Sequence, residues 1–90
     1  MNPIHNMSSF AQYTSELHEP LYRFGRILTK TPEAADKLTQ EVLEELWEKR
    51  EELATEKDVR RFVTERMFRR SQSWIHEQVL HMLAVQPSNN

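Results

Sequence analysis

Ninety residues with 29% charged and 38% apolar side chains describe one small globular domain, because that length sustains a single modest core and leaves no material for a second. A single glycine argues against a sheet protein, whose tight hairpins need several residues that accept positive φ, and the absence of cysteine removes disulfides, thiolate nucleophiles and cysteine metal sites. The formal net charge of −2 is divided in blocks: residues 33–56 hold nine acids against Lys37, Lys49 and Arg50, and residues 57–80 hold six bases against Asp58, Glu65 and Glu77.

The first ten residues lack the basic start and the apolar run of a signal peptide or membrane span, so the cytoplasm is the expected compartment. Residues 1–8 and 85–90 read as flexible ends around a helical domain at 9–84. Phe10, Tyr13, Leu17, Leu21, Phe24 and Leu28 recur at steps of three and four, the spacing that gathers side chains on one side of a helix. Pro20 lacks a backbone donor and clashes with the preceding turn, which predicts a short helix over 9–18 and a second beginning near Pro20.

Thr31-Pro32-Glu33 is a helix start: a capping hydroxyl, a proline preset for the first turn and an acid at the positive end of the dipole. The helix it opens is expected over 32–51, with Ala35, Leu38, Val42 and Leu46 inward, Leu43 and Trp47 widening that stripe, and Glu41, Glu44, Glu45 and Glu48 mainly outward. Thr55-Glu56-Lys57-Asp58 resembles a capping box and opens a long C-terminal helix reaching residue 83. On that helix Val59, Phe62, Val63, Met67 and Trp74 form a core face. Phe68, Ile75, Val79 and Met82 are expected as a second stripe on nearly the opposite side, which requires either a bend or a partner. The expected fold is all-α, a three- to four-helix bundle with a long C-terminal helix.

Chemistry is sparse. There is no Gly-rich phosphate loop, no His-Glu-x-x-His and no Glu-x-x-His pair, and His76 and His81 are five apart, a spacing that turns them to different sides of a helix. Glu41, Glu45 and Glu48 read as an exposed acidic face rather than a catalytic carboxylate cluster. No catalytic residue, metal ligand or cofactor is therefore assigned. The basic helix combines Arg60, Arg61, Arg66, Arg69 and Arg70 with Phe62, Phe68 and Trp74, a mixture suited to single-stranded nucleic acid, although Phe62 and Trp74 go first to the core. The block asymmetry fits one face for a basic partner and another for an acidic one, or two helix faces that attract each other inside the fold.

Leu21-Tyr22-Arg23-Phe24, the run from Pro32 through Ala35-Asp36-Lys37-Leu38-Thr39-Gln40-Glu41-Val42-Leu43, and Leu46-Trp47 resemble region 2 of the extracytoplasmic-function sigma factors of bacterial RNA polymerase, within the sigma-70 family. The similarity continues to about Ile75. The resemblance implies a sigma region 2-like bundle whose acidic helix docks on the clamp helices of the polymerase largest subunit through Asp36, Gln40, Glu41 and Glu44. It implies that Arg61, Arg66, Phe68, Arg69 and Arg70 meet the minus-ten promoter element as a separated strand. Lys37 departs from the family's aspartate, Arg69 from its asparagine, and His76-Glu77 from a basic pair.

The chain stops before a second helical module, so it reads as an excised domain or a stand-alone relative. The leading expectation is a transcription initiation module that binds core polymerase and promoter DNA, without enzymatic or membrane function. The alternative is a divergent sigma-like interaction module that associates with itself or a regulator through Phe68, Ile75, Val79 and Met82, whose spacing suggests a short coiled-coil seam. An anti-sigma factor and a second copy of the chain are thus further candidate partners.

Overall fold

The computed structural model describes residues 7–84, with side chains from residue 11. Three α-helices and one short turn of 3-10 helix follow in order: α1 (Met7–Thr29), α2 (Pro32–Glu48), the turn (Arg50–Glu52) and α3 (Glu56–Ala84), with no strand among the described residues. The bundle is all-α, as expected. Residues 1–6 and 85–90, expected as flexible ends, lie outside the described residues, and α1 already begins at Met7 rather than at residue 9.

The two short helices expected around Pro20 are one continuous helix, with the proline inside it. An interior proline costs on the order of 3 kcal/mol through its lost hydrogen bond and its clash with the preceding turn. Leu17 and Leu21 flank it and are both buried, at 9% and 4% exposure. Each contributes roughly 1.5–3 kcal/mol when fully buried, so packing outweighs the break. Tertiary burial has overridden a local stop signal.

The start of α2 follows the sequence. Thr31 is extended (φ −132°, ψ 136°), its hydroxyl accepts from the Ala34 amide and Pro32 opens the first turn. Between α1 and α2, Lys30 adopts φ 66° and its amide donates to the Arg26 carbonyl at 2.9 Å, a left-handed cap built without glycine. Helix α2 ends three residues before residue 51, because the chain tightens into the 3-10 turn at Arg50–Glu52. At the start of α3 the Thr55 hydroxyl accepts from the Asp58 amide at 3.1 Å, which is the capping half of the expected box.

Tyr13 donates to the carbonyl of Glu56 at the start of α3, while Gly25 lies beside Met67, so α1 and α3 run parallel. Helix α2 runs against both, since Glu45 reaches Arg66 and Glu41 reaches Arg70. The core between them is Leu17, Leu21, Leu38, Val42, Leu46, Val59, Val63 and Met67, with Tyr13, Phe24, Leu43, Trp47, Leu53, Phe62 and Trp74 packed on its margin. This matches the inner faces read from helical spacing. Beyond Ile75, every described residue of α3 is exposed. Phe68, Val79 and Met82 are 47%, 48% and 66% exposed, whereas Ile75 is half-buried. At 3.6 residues per turn Phe68 stands about 100° round from Met67, so the second stripe lies beside the core face rather than opposite it.

Gly25 is required by proximity, not by backbone freedom. A Cβ there would stand 3.2 Å from both Cα and Cβ of Ala35, and Ala35 is fully buried. Gly25→Ala combines a helix-propensity gain of about 1 kcal/mol with a steric cost of about 1–3 kcal/mol, so its net effect runs from about zero to a loss of about 2 kcal/mol. Gly25→Leu forces α1 from α2 and is expected to lower stability by at least about 2 kcal/mol in urea unfolding; an unchanged midpoint contradicts the close approach.

Candidate interaction faces of α2 and α3

Because α2 is covered from two sides, its polar residues fall into two groups. Asp36, Gln40, Glu44 and Glu48 are exposed on the flank beside α1. Gln40, Glu44 and Glu48 line a groove with Leu43 and Trp47 of α2 and Thr14 and His18 of α1. Asp36 continues this flank in an adjoining hollow with Glu33, Glu19, His18 and Tyr22. Among the described residues Asp36, Glu44 and Glu48 make no ion pair. The result is an apolar strip, Leu43 and Trp47, bordered by uncompensated acid.

Trp47 is held in place from behind. The Arg50 guanidinium lies 3.5 Å from the centre of the indole, and its Nη1 donates to the Trp47 carbonyl at 2.7 Å. That bond also serves the C-terminal end of α2, where carbonyls lack helical partners. His18 stacks on Tyr22 across one turn of α1, with ring centres 6.4 Å apart and planes within 9°.

The other flank of α2 faces α3 and is neutralised. Arg70 Nη1 donates to Glu41 Oε1 at 2.9 Å, Arg70 Nη2 stands 3.3 Å from Glu45 Oε1, and Arg66 Nε stands 3.6 Å from Glu45 Oε2. Lys37 adds a contact to Glu41 at 3.5 Å. Glu41 and Glu45, expected mainly outward, are therefore turned to the arginine helix. The spacing explains it: Glu41 and Glu45 are one turn apart on α2, Arg66 and Arg70 one turn apart on α3, and antiparallel packing brings the two pairs together.

The assigned site residues thus separate. Asp36, Gln40 and Glu44 share the outer flank, while Glu41 does not. Of the arginines assigned to nucleic acid, Arg66 and Arg70 sit in the inter-helix network, and Arg66 also lies over the Phe62 ring at 5.2 Å. Arg61 and Arg69 are exposed and make no ion pair among the described residues, and Phe68 is exposed between them in sequence. Phe68, Ile75, Val79 and Met82 lie along one side of α3. At the start of α3, Arg60 reaches Glu56 at 3.9 Å. There, burial first and the Glu56 carboxylate second raise the Tyr13 phenol above its ordinary pKa, while Arg60 opposes them.

Sequence reasoning missed Thr14 and His18, the α1 wall of the groove. Their i,i+4 spacing placed them together, but only tertiary packing sets them opposite Gln40 and Glu44. Among the described residues no group of His, Asp or Glu is arranged to hold a metal ion, and no helix is long and apolar enough to cross a membrane.

The described residues form an all-helical bundle in which an acidic helix packs against an amphipathic helix and a long basic one, an architecture that a sigma-70 region 2-like domain fits. The family model described as the Sigma2 domain of PhyR matches residues 19–63, half of the chain, and the chain belongs to that family. The match takes in the second half of α1, all of α2 and the start of α3. No curated protein and no solved structure matches the chain.

The inter-helix network is about one-third exposed, so each pair contributes at most about 1 kcal/mol after solvent screening. Arg70→Ala is expected to lower unfolding stability by about 1 kcal/mol at low salt and by clearly less in 1 M NaCl. A loss that does not depend on salt would mean that Arg70 acts through packing of its aliphatic stem.

Proposed function

We propose that the chain is a sigma-factor-like transcription module of the extracytoplasmic-function type, without enzymatic chemistry, acting in the cytoplasm. It docks on the basic clamp helices of the largest subunit of core RNA polymerase through the groove between α1 and α2, and it meets the separated minus-ten strand through α3. The observation that carries this reading is the strip of Leu43 and Trp47 bordered by Gln40, Glu44 and Glu48 and continued by Asp36 in the adjoining hollow, with Asp36, Glu44 and Glu48 making no ion pair among the described residues. Apolar contact at the centre with charge complementarity at the rim suits a positively charged helical pair. An anti-sigma factor acting on this module would compete for the same groove.

The DNA half of the proposal narrows to fewer residues. Arg61 and Arg69 are the assigned arginines free to meet phosphates, and Phe68 is the exposed ring available to an unstacked base. Arg66 and Arg70 support the bundle instead.

Two measurements test the halves separately. Gln40→Ala combined with Glu44→Lys is expected to reduce capture of a clamp coiled-coil fragment at least tenfold, and undiminished capture counts against the groove. Arg61→Gln combined with Arg69→Gln is expected to weaken single-stranded DNA binding about tenfold and to flatten the slope of log K against log salt by about 1.4, at about 0.7 per phosphate contact. Binding that ignores salt removes the DNA half.

A further inference from the structure

The network between α2 and α3 borders a cleft of about 310 Å³ that is also lined by Lys37, Arg69 and Trp74. Four cationic side chains, Lys37, Arg66, Arg69 and Arg70, converge on this cleft together with Glu41, Glu45 and Glu77; Glu41 and Glu45 share the guanidinium of Arg70, and Glu45 also stands 3.6 Å from Nε of Arg66. A carboxylate and a phosphodiester offer an arginine fork similar pairs of oxygen acceptors. The side chains involved, Arg70, Arg66, Glu41 and Glu45, are 35%, 34%, 31% and 23% exposed, so solvent and an incoming anion can reach them. Pairs in that setting are weak enough to be exchanged.

We infer that the α2–α3 cleft is a phosphodiester-binding site held shut by Glu41 and Glu45, which stand in for the phosphates and keep Arg66 and Arg70 from nucleic acid. The inference rests on the reading of α3 as a nucleic-acid face and adds a latent part to it. In the resting chain Arg61, Phe68 and Arg69 are the accessible contacts. Drawing the two carboxylates away from α3 adds two guanidinium groups to the same strand of phosphates. Because Glu41 and Glu45 belong to the same helix as the outer groove, a partner that rotates or shifts α2 against α3 would open the cleft.

The experiment measures the affinity of the full chain for a fluorescent single-stranded oligonucleotide at several salt concentrations. E41Q/E45Q is expected to bind about tenfold more tightly, with a slope steeper by about 1.4 for two added contacts. E51Q/E52Q makes the same change in net charge on exposed residues away from the cleft and is expected to gain less than threefold. Adding R66Q/R70Q to E41Q/E45Q is expected to abolish the gain. Should the glutamine variant fold poorly, E41D/E45D shortens both carboxylates at constant charge and is expected to gain about threefold. A gain no larger than that of E51Q/E52Q, or one that survives loss of Arg66 and Arg70, overturns the inference while leaving binding through Arg61 and Arg69 intact. Failure of every form to bind overturns the nucleic-acid reading together with it.

Discussion

Helix α2 can enclose Ala35, Val42 and Leu46 completely only because α1 and α3 press on it from two sides. The close approach at Gly25 brings α1 in on one flank, and the side chains of Val59, Val63 and Met67 bring α3 in on another. Among the described residues only α1 and α3 pack along α2, and the remainder of its circumference is exposed. This constraint sorts the acids of one strongly acidic helix. Those near α3 meet arginines, and among the described residues those on the outer flank meet none.

The sorting gives the charge asymmetry of the sequence two meanings at once. Part of it is internal: Glu41 and Glu45 hold Arg66 and Arg70, which is helix faces attracting each other inside the fold. Part of it is external, since among the described residues Glu44 and Glu48 beside Leu43 and Trp47, and Asp36 in the adjoining hollow, make no ion pair. Membership of the PhyR Sigma2 family gives the external part a context, that of a sigma-factor-like module. The proposed docking on a basic helical pair uses that part alone, and the proposed strand contact uses what α3 retains after the internal pairing is satisfied.

The helices and the core were largely legible in the sequence. Caps at Thr31 and Thr55 marked two starts, and steps of three and four picked out Leu17, Leu21, Val42, Leu46, Val63 and Met67 as buried. Pro20 misled, because a local rule knows nothing of the two buried leucines that carry the helix through it. The outer flank was legible in Asp36, Gln40 and Glu44, but not its α1 wall, since His18 reaches the groove only by packing. The destination of Glu41 was hidden for a similar reason. Helical spacing turns it mainly outward, and only the antiparallel register with α3 decides that Arg70 meets it there. A sequence comparison of the two i,i+4 pairs would have suggested the match without fixing it.

The two flanks of α2 differ: one is open and acidic, the flank proposed to meet a partner, and the other is closed on α3. Titrating the isotope-labelled chain with a clamp coiled-coil fragment and following its NMR resonances tests this most directly. Shifts are expected to group at Asp36, Gln40, Leu43, Glu44 and the Trp47 indole, with His18 of α1 among them. Shifts centred instead on Glu41, Glu45, Arg66 and Arg70, with the outer flank unmoved, would contradict it.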